Sequence, residues 1–175
     1  MLIGKPSQLK NDSTPSNFFA INTTIMKINF PKDFREFVEL LEKHKIEYLI
    51  VGGYAVGFHG YPRFTGDLDI WIRISETNST NMLLVVKEFG FGSLGLTIKD
   101  FSTNGNIVQL GYPPLRIDLL TEIDGITFDE AYPNKQEVLQ DGFKYNFISY
   151  DDLLKNKKAS GRHKDLDDLD YFNKA

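Results

Sequence analysis

An α/β (α+β) domain, in which a mixed β-sheet is flanked by helices and followed by a helical C-terminal segment, is the fold class the sequence predicts. Three observations point to it. A stretch of helical period after Pro31 leads into a short apolar run at residues 48–51, closed by Gly52-Gly53. Two later runs, residues 67–72 and 115–120, have the length and apolar content of strands. Helical stretches lie before, between and after these runs, an alternation that packs helices against one sheet. A chain of 175 residues is enough for one domain with a proper core and too short for two comfortable ones.

Taken in order, residues 1–25 are rich in Asn, Ser, Thr and Lys, carry Pro6 and Pro15, show no lasting apolar period and read as a flexible leader. Met26, where the composition changes, is an alternative start. The core is expected over residues 26–150. Pro31 and Asp33 supply helix-start signals, and Phe34, Phe37, Val38, Leu40 and Leu41 recur at helical spacing for about three turns. Residues 48–51 form a buried strand entering the Gly52-Gly53 turn, and residues 54–59 a helix opening on it. Beyond Gly60, Tyr61 and Pro62, residues 67–72 alternate carboxylates with apolar side chains before a second apolar stretch, giving a strand with a polar edge. A helix over 82–89 follows, then strands at 104–112 and 115–120 separated by Pro113-Pro114, and one more at 143–148. Residues 151–175, rich in Leu and Lys, form a C-terminal helical segment packed on the core, with Gly161 dividing it into two short helices.

Composition narrows function by exclusion. Apolar residues at 41% and charged residues at 25% are ordinary for globular domains and exclude collagen, full disorder and disulfide scaffolds. Cysteine is absent, so thiolate metal sites and cysteine nucleophiles are excluded and metals are left with oxygen and His ligands. The formal charge of -4 argues against broad adhesion to nucleic acid, while allowing a local basic strip. No stretch has the length of a membrane span or the pattern of a secretory signal, so a cytoplasmic protein is expected.

The chemistry-bearing residues centre on Asp67 and Asp69. Side chains two apart on a strand share a face, so both carboxylates project together while Leu68 and Ile70 enter the core. Like charges held that close call for a cation, and oxygen ligands on a rigid strand suit Mg²⁺ or Mn²⁺. On the second strand Arg116, Asp118 and Leu120 share one face, which makes Asp118 a candidate third ligand. Three carboxylates around one or two metals can support in-line displacement at phosphorus. An isolated Asp-x-Asp at a solvated sheet edge carries no such meaning, and paired glycines mark ordinary turns more often than phosphate sites. Gly52-Gly53 is followed by neither a Walker motif nor a dinucleotide fingerprint, although its backbone N–H groups could hold phosphate oxygens.

Together, Val51-Gly52-Gly53, Asp67-Leu68-Asp69 and Asp118 within Arg116-Ile117-Asp118-Leu119-Leu120 resemble the DNA polymerase beta-like nucleotidyltransferase superfamily. The segment Arg63-Phe64-Thr65-Gly66-Asp67-Leu68-Asp69 is similar to minimal members related to abortive-infection toxins. So is the tail, Lys158-Ala159-Ser160-Gly161-Arg162 followed by Lys164-Asp165-Leu166 and Asp168-Leu169. The resemblance implies a nucleotidyltransferase-like fold and transfer of a nucleoside monophosphate from an NTP, ATP among them, to an acceptor hydroxyl with release of pyrophosphate. It implies Asp67, Asp69 and Asp118 as catalytic metal ligands, with Asp118 alternatively accepting the acceptor's proton. It implies Gly52, Gly53, Arg63, Thr65, Lys158 and Arg162 as nucleotide-binding residues.

Several of these positions have plainer readings. Lys155, Lys158 and Arg162 would share a face of a continuous helix, and a solvated basic face is the alternative to phosphate binding. Arg63 either reaches phosphate or pairs with a carboxylate to fix its own loop. Asp165 is expected to pair with Arg162 or Lys164. His44, His59 and His163 lack spaced partners, and Trp71, Phe64, Tyr54 and Tyr61 either stack on a base or pack, Trp71 by its alternation packing. The acceptor, whether small molecule, tRNA or protein, is left open. Two rival functions remain: a non-catalytic nucleotide-binding partner in a toxin-antitoxin pair, and a metal-dependent phosphohydrolase.

Overall fold

The computed structural model describes residues 28–174; the leader predicted at 1–25 and the alternative start at Met26 lie outside them. Helix α1, Lys32–Lys43, buries Phe34, Phe37, Val38 and Leu41 at the three- and four-residue spacing that gave it away in the sequence. Strand β1, Tyr48–Ile50, is wholly buried and turns directly into α2, Gly52–Phe58, so the glycine pair is the first turn of the helix. Strand β2 is Asp67–Ile72.

Helix α3, Glu76–Val86, starts six residues before the predicted 82–89 and runs on into Lys87–Phe91, where the chain kinks at Gly90 with a φ of +106°. Its first turns are polar, which hid them from an apolar-period reading. Their burial is satisfied by hydrogen bonds instead: Asn78 accepts from Glu47 N at 2.9 Å and donates to Arg73 O at 2.8 Å, and Ser79 Oγ donates to Phe101 O at 3.0 Å. Ser75 caps the helix by accepting from Asn78 N at 3.1 Å.

After the short α4, Ile98–Ser102, come β3, Ile107–Leu110, and β4, Arg116–Leu120, joined across Pro113-Pro114. Helix α5, Phe128–Ala131, precedes β5, Gln136–Gln140, and β6, Phe143–Phe147. Strand β5 was not predicted because, at the sheet edge, only Val138 of its five residues is buried and no apolar alternation results. Helices α6, Tyr150–Ser160, and α7, His163–Lys174, meet at Gly161.

The six strands form one mixed sheet in the order β3-β4-β2-β1-β6-β5. Strand β2 runs antiparallel to β1 and parallel to β4, with Asp67 opposite Arg116, Asp69 opposite Asp118 and Trp71 opposite Leu120. The core joins α1, α3 and the sheet through Phe34, Phe37, Leu49, Leu68, Ile70, Met82 and Leu119. Phe30 extends it, stacking on Tyr54 at 4.8 Å and on Tyr145 at 4.9 Å between ring centroids. Among the described residues no helix is long and apolar enough to cross a membrane.

Replacing the α3 cap, Ser75→Ala, is expected to lower stability by about 1 kcal/mol. The urea midpoint should fall with an unchanged m value.

Candidate active site

Parallel pairing of β2 with β4 builds the site. Register neighbours project to the same face, so Asp69 and Asp118 emerge side by side and Asp67 lies next to Arg116. Asp67, Asp69 and Asp118 each offer a carboxylate oxygen within 4.8 Å of the others. Arg116 lies among them, donating from Nε to Asp118 at 2.6 Å and from Nη2 to Asp118 at 2.7 Å and Asp67 at 3.1 Å. One guanidinium thus serves two of the three carboxylates.

Asp69 is the one left without a cation in contact among the described residues. Burial, followed by the charges of Asp67 and Asp118, raises its carboxyl from the usual 3.8 to about 6, against the lowering effect of a hydrogen bond from the Gly53 N–H. Gly52 explains how the turn comes so close: a Cβ there would lie 1.9 Å from Asp69 Oδ2, and its φ of +60° suits glycine. At Gly53 a Cβ would meet Thr65 Oγ1 at 2.4 Å, so α2 begins packed against the segment that leads into β2.

These groups form the floor of a cleft of about 510 Å³, with the ends of α6 and α7 on its opposite wall. Of the residues predicted to bind nucleotide, Gly52, Gly53, Arg63 and Arg162 line it. Thr65 sits behind the floor, with its hydroxyl 3.2 Å from Asp67 Oδ1. Lys158 is exposed and outside the lining, as is Lys155, which pairs with Asp152 at 2.7 Å. Lys157 lines the cleft where Lys158 was expected.

Lys157 was missed because the basic residues were spaced along a continuous helix, whereas α6 ends at Ser160. Its signal was position: Leu153 and Lys157 are four apart and both buried. The ammonium of Lys157 lies 2.5 Å from Asp165 and 3.0 Å from Asp168, with all three side chains at most 3% exposed. Arg63 reaches Asp168 from the other side at 2.7 Å and 2.9 Å, and Arg162 pairs with Asp165 at 2.6 Å. Arg63 therefore fixes its loop through a carboxylate at the wall of the cleft. Three cations against two carboxylates leave this wall net positive, facing the acidic floor.

The family model described as a nucleotidyl transferase of unknown function (DUF2204) matches residues 31–175. The chain belongs to this nucleotidyl transferase family. Among solved structures, a "putative nucleotidyltransferase" from Thermotoga maritima is 17% identical, covering 81% of this chain and 91% of that one with a TM-score of 0.52. An "antigenic nucleotidyltransferase-like protein" from Paracoccidioides brasiliensis is 18% identical over 78% of this chain and 70% of its own, with a TM-score of 0.47. No curated protein matches the chain. The Thermotoga likeness establishes the nucleotidyltransferase-like fold, a mixed sheet with flanking helices.

Two outcomes follow from the electrostatics. Because the folded, metal-free protein keeps a proton on Asp69 that the unfolded chain releases from about 3.8, stability contributed by this group is present at low pH and lost as pH rises towards about 6. Asp69→Asn should therefore exceed wild type in stability at pH 7–8 by on the order of 1–3 kcal/mol, with the gap closing below about pH 4, as read by urea titrations. Asp168→Ala strips Lys157 and Arg63 of a shared buried partner and should lower stability by about 3–5 kcal/mol, seen as a fall in Tm.

Proposed function

We propose that this protein is a metal-dependent nucleotidyltransferase that moves a nucleoside monophosphate from an NTP to an acceptor hydroxyl and releases pyrophosphate. The observation carrying this reading is the convergence of Asp67, Asp69 and Asp118 within 4.8 Å beside the Gly52-Gly53 turn, on the floor of a cleft with a basic wall. Membership of the nucleotidyl transferase family supports it.

The donor set fits a divalent ion: three carboxylates converge, Arg116 serves only two of them, and burial together with the charges of Asp67 and Asp118 raises Asp69 to about 6. Asp67, Asp69 and Asp118 would hold Mg²⁺ or Mn²⁺, as oxygen-only donors suit a hard cation. Once bound, the ion supplies Lewis-acid polarisation of phosphoryl oxygens and neutralises developing charge.

The chain's own residues orient the reactants. The Gly52-Gly53 turn admits the phosphates close to the strand because no side chain stands there. The acceptor oxygen bonds to the α-phosphorus as the bond between that phosphorus and the pyrophosphate oxygen breaks, and Asp118 takes the acceptor's proton. Arg162 faces the leaving pyrophosphate, while Lys157 contributes positive potential from between Asp165 and Asp168. Arg63 holds the loop before β2 by its grip on Asp168. The tail motif supports placing the chain near the abortive-infection nucleotidyltransferases, with a toxin-antitoxin setting as the corresponding biology.

Incubation with α-³²P-labelled NTPs, Mg²⁺ or Mn²⁺ and fractionated cell extract should move label onto an acceptor. Asp67→Ala, Asp69→Ala and Asp118→Ala should each reduce transfer by about 10³-fold or more. Transfer that survives these changes, or label recovered only as free nucleotide, would overturn the assignment, the latter in favour of hydrolysis.

A further inference from the structure

A second cavity, of about 240 Å³, lies against the carboxylate cleft and takes no part in the chemistry described so far. Its walls include Trp71, Arg73, Asn104, Glu122, Phe128 and Asp129. Trp71 follows Asp69 by two residues on β2 and pairs with Leu120, so it shares the sheet face of Asp69 and Asp118. Two residues of strand span about 7 Å, which puts the wall of this cavity one small molecule away from the carboxylates. The two cavities also share a boundary: Glu122 lines both, and Asn104 lines one while Gly105 lines the other.

From this continuity we infer that the Trp71 cavity is the acceptor subsite, and that it takes a small hydroxyl-bearing molecule that is neutral or cationic. The inference rests on the nucleotidyl-transfer reading of the carboxylate cleft.

Charge selects the class. Arg73, the one cation in the lining, is already committed: its Nε lies 2.6 Å from Glu47, it pairs with Asp129, and its guanidinium covers Phe128 at 4.9 Å. Glu122 is exposed and has no ion-pair partner among the described residues. An anionic acceptor, such as a phosphorylated sugar or the end of an RNA, would meet Glu122 and Asp129 with no free cation to answer it. A molecule with hydroxyl or ammonium donors would satisfy Glu122.

Size and the remaining polar capacity agree. A volume of about 240 Å³ lies below the roughly 300–1,000 Å³ of drug-sized sites, which suits a molecule of monosaccharide scale. Trp71 is 1% exposed, and its indole Nε1–H has no hydrogen-bond partner among the described residues. A buried donor left unpaired is unfavourable. Phe128, Ile74 and Ile126 provide the apolar surface on which a sugar ring or short chain can rest.

Trp71 is the only tryptophan of the chain, so occupancy can be read without activity. Emission excited at 295 nm should respond saturably to glucosamine and to glucose, and not to glucose 6-phosphate or to a short RNA with a free 3′ hydroxyl. Asn104→Phe, which plugs the cavity from an exposed wall position, should raise the half-saturating concentration by about tenfold or more. Asp118→Asn should leave the response intact while abolishing transfer of α-³²P label. No saturable response to either uncharged or cationic sugar overturns the subsite, as does a response confined to the RNA or the phosphorylated sugar, or one that Asn104→Phe leaves unchanged. Transfer that persists in Asp118→Asn alongside a normal fluorescence response overturns the proposed chemistry and leaves the cavity's assignment standing.

Discussion

Three carboxylates held within 4.8 Å of one another on two paired strands are the constraint to which the surrounding chain conforms. In water such groups would separate; here the β2–β4 register prevents it, because a slip of one residue would also turn Leu68, Ile70, Ile117 and Leu119 out of the core. Hydrophobic burial on one face therefore keeps like charges together on the other. Arg116 relieves part of the repulsion from within the same register, and Gly52 lets the adjoining turn approach Asp69 where any side chain would collide.

The opposite wall answers the floor with charge of the other sign, again held by burial. Lys157 could not lie at 3% exposure without Asp165 and Asp168, and those two carboxylates could not be buried without Lys157, Arg63 and Arg162. Because Arg63 comes from the segment before β2 while Asp168 lies on α7 and is shared with Lys157 of α6, the network fastens the C-terminal helices over the floor. A second fastening, the Tyr61–Tyr171 stack at 3.8 Å, acts between the same two parts of the chain. The overall charge of -4 thus conceals a local arrangement of acidic floor and basic wall, which no sum over the composition could reveal.

How much of this was legible in the sequence depended on whether burial was apolar. Helix α1 and strands β1, β2, β4 and β6 were visible because their buried residues, Asp118 and Asn146 apart, are hydrophobic. The start of α3 was invisible, since Asn78 and Ser79 are buried through hydrogen bonds, and β5 was invisible because it is an edge strand with one buried side chain. The site divides in the same way. Asp67 and Asp69 could be placed on one face from strand alternation, and Asp118 was joined to them by the family resemblance, whereas Lys157, Asp165 and Asp168 form a pairing across a helix boundary that no single period describes. The glycines were seen as a turn, but their closeness to Asp69 and Thr65 is a tertiary fact.

The position of Arg116 gives the three carboxylates unequal work. An ionised carboxylate has about four lone-pair directions, and Arg116 takes two of those on Asp118 and one on Asp67, leaving both able to accept from a second positive group. Asp69 receives a backbone N–H, from Gly53, and no guanidinium, and burial with the charges of Asp67 and Asp118 raises its carboxyl to about 6. A cation arriving between the strands would relieve the repulsion that Asp67 and Asp118 exert on Asp69, while Arg116 can remain in place. The guanidinium is thus a built-in counter-ion that offsets the repulsion among the three carboxylates through Asp118 and Asp67 while making no contact with Asp69.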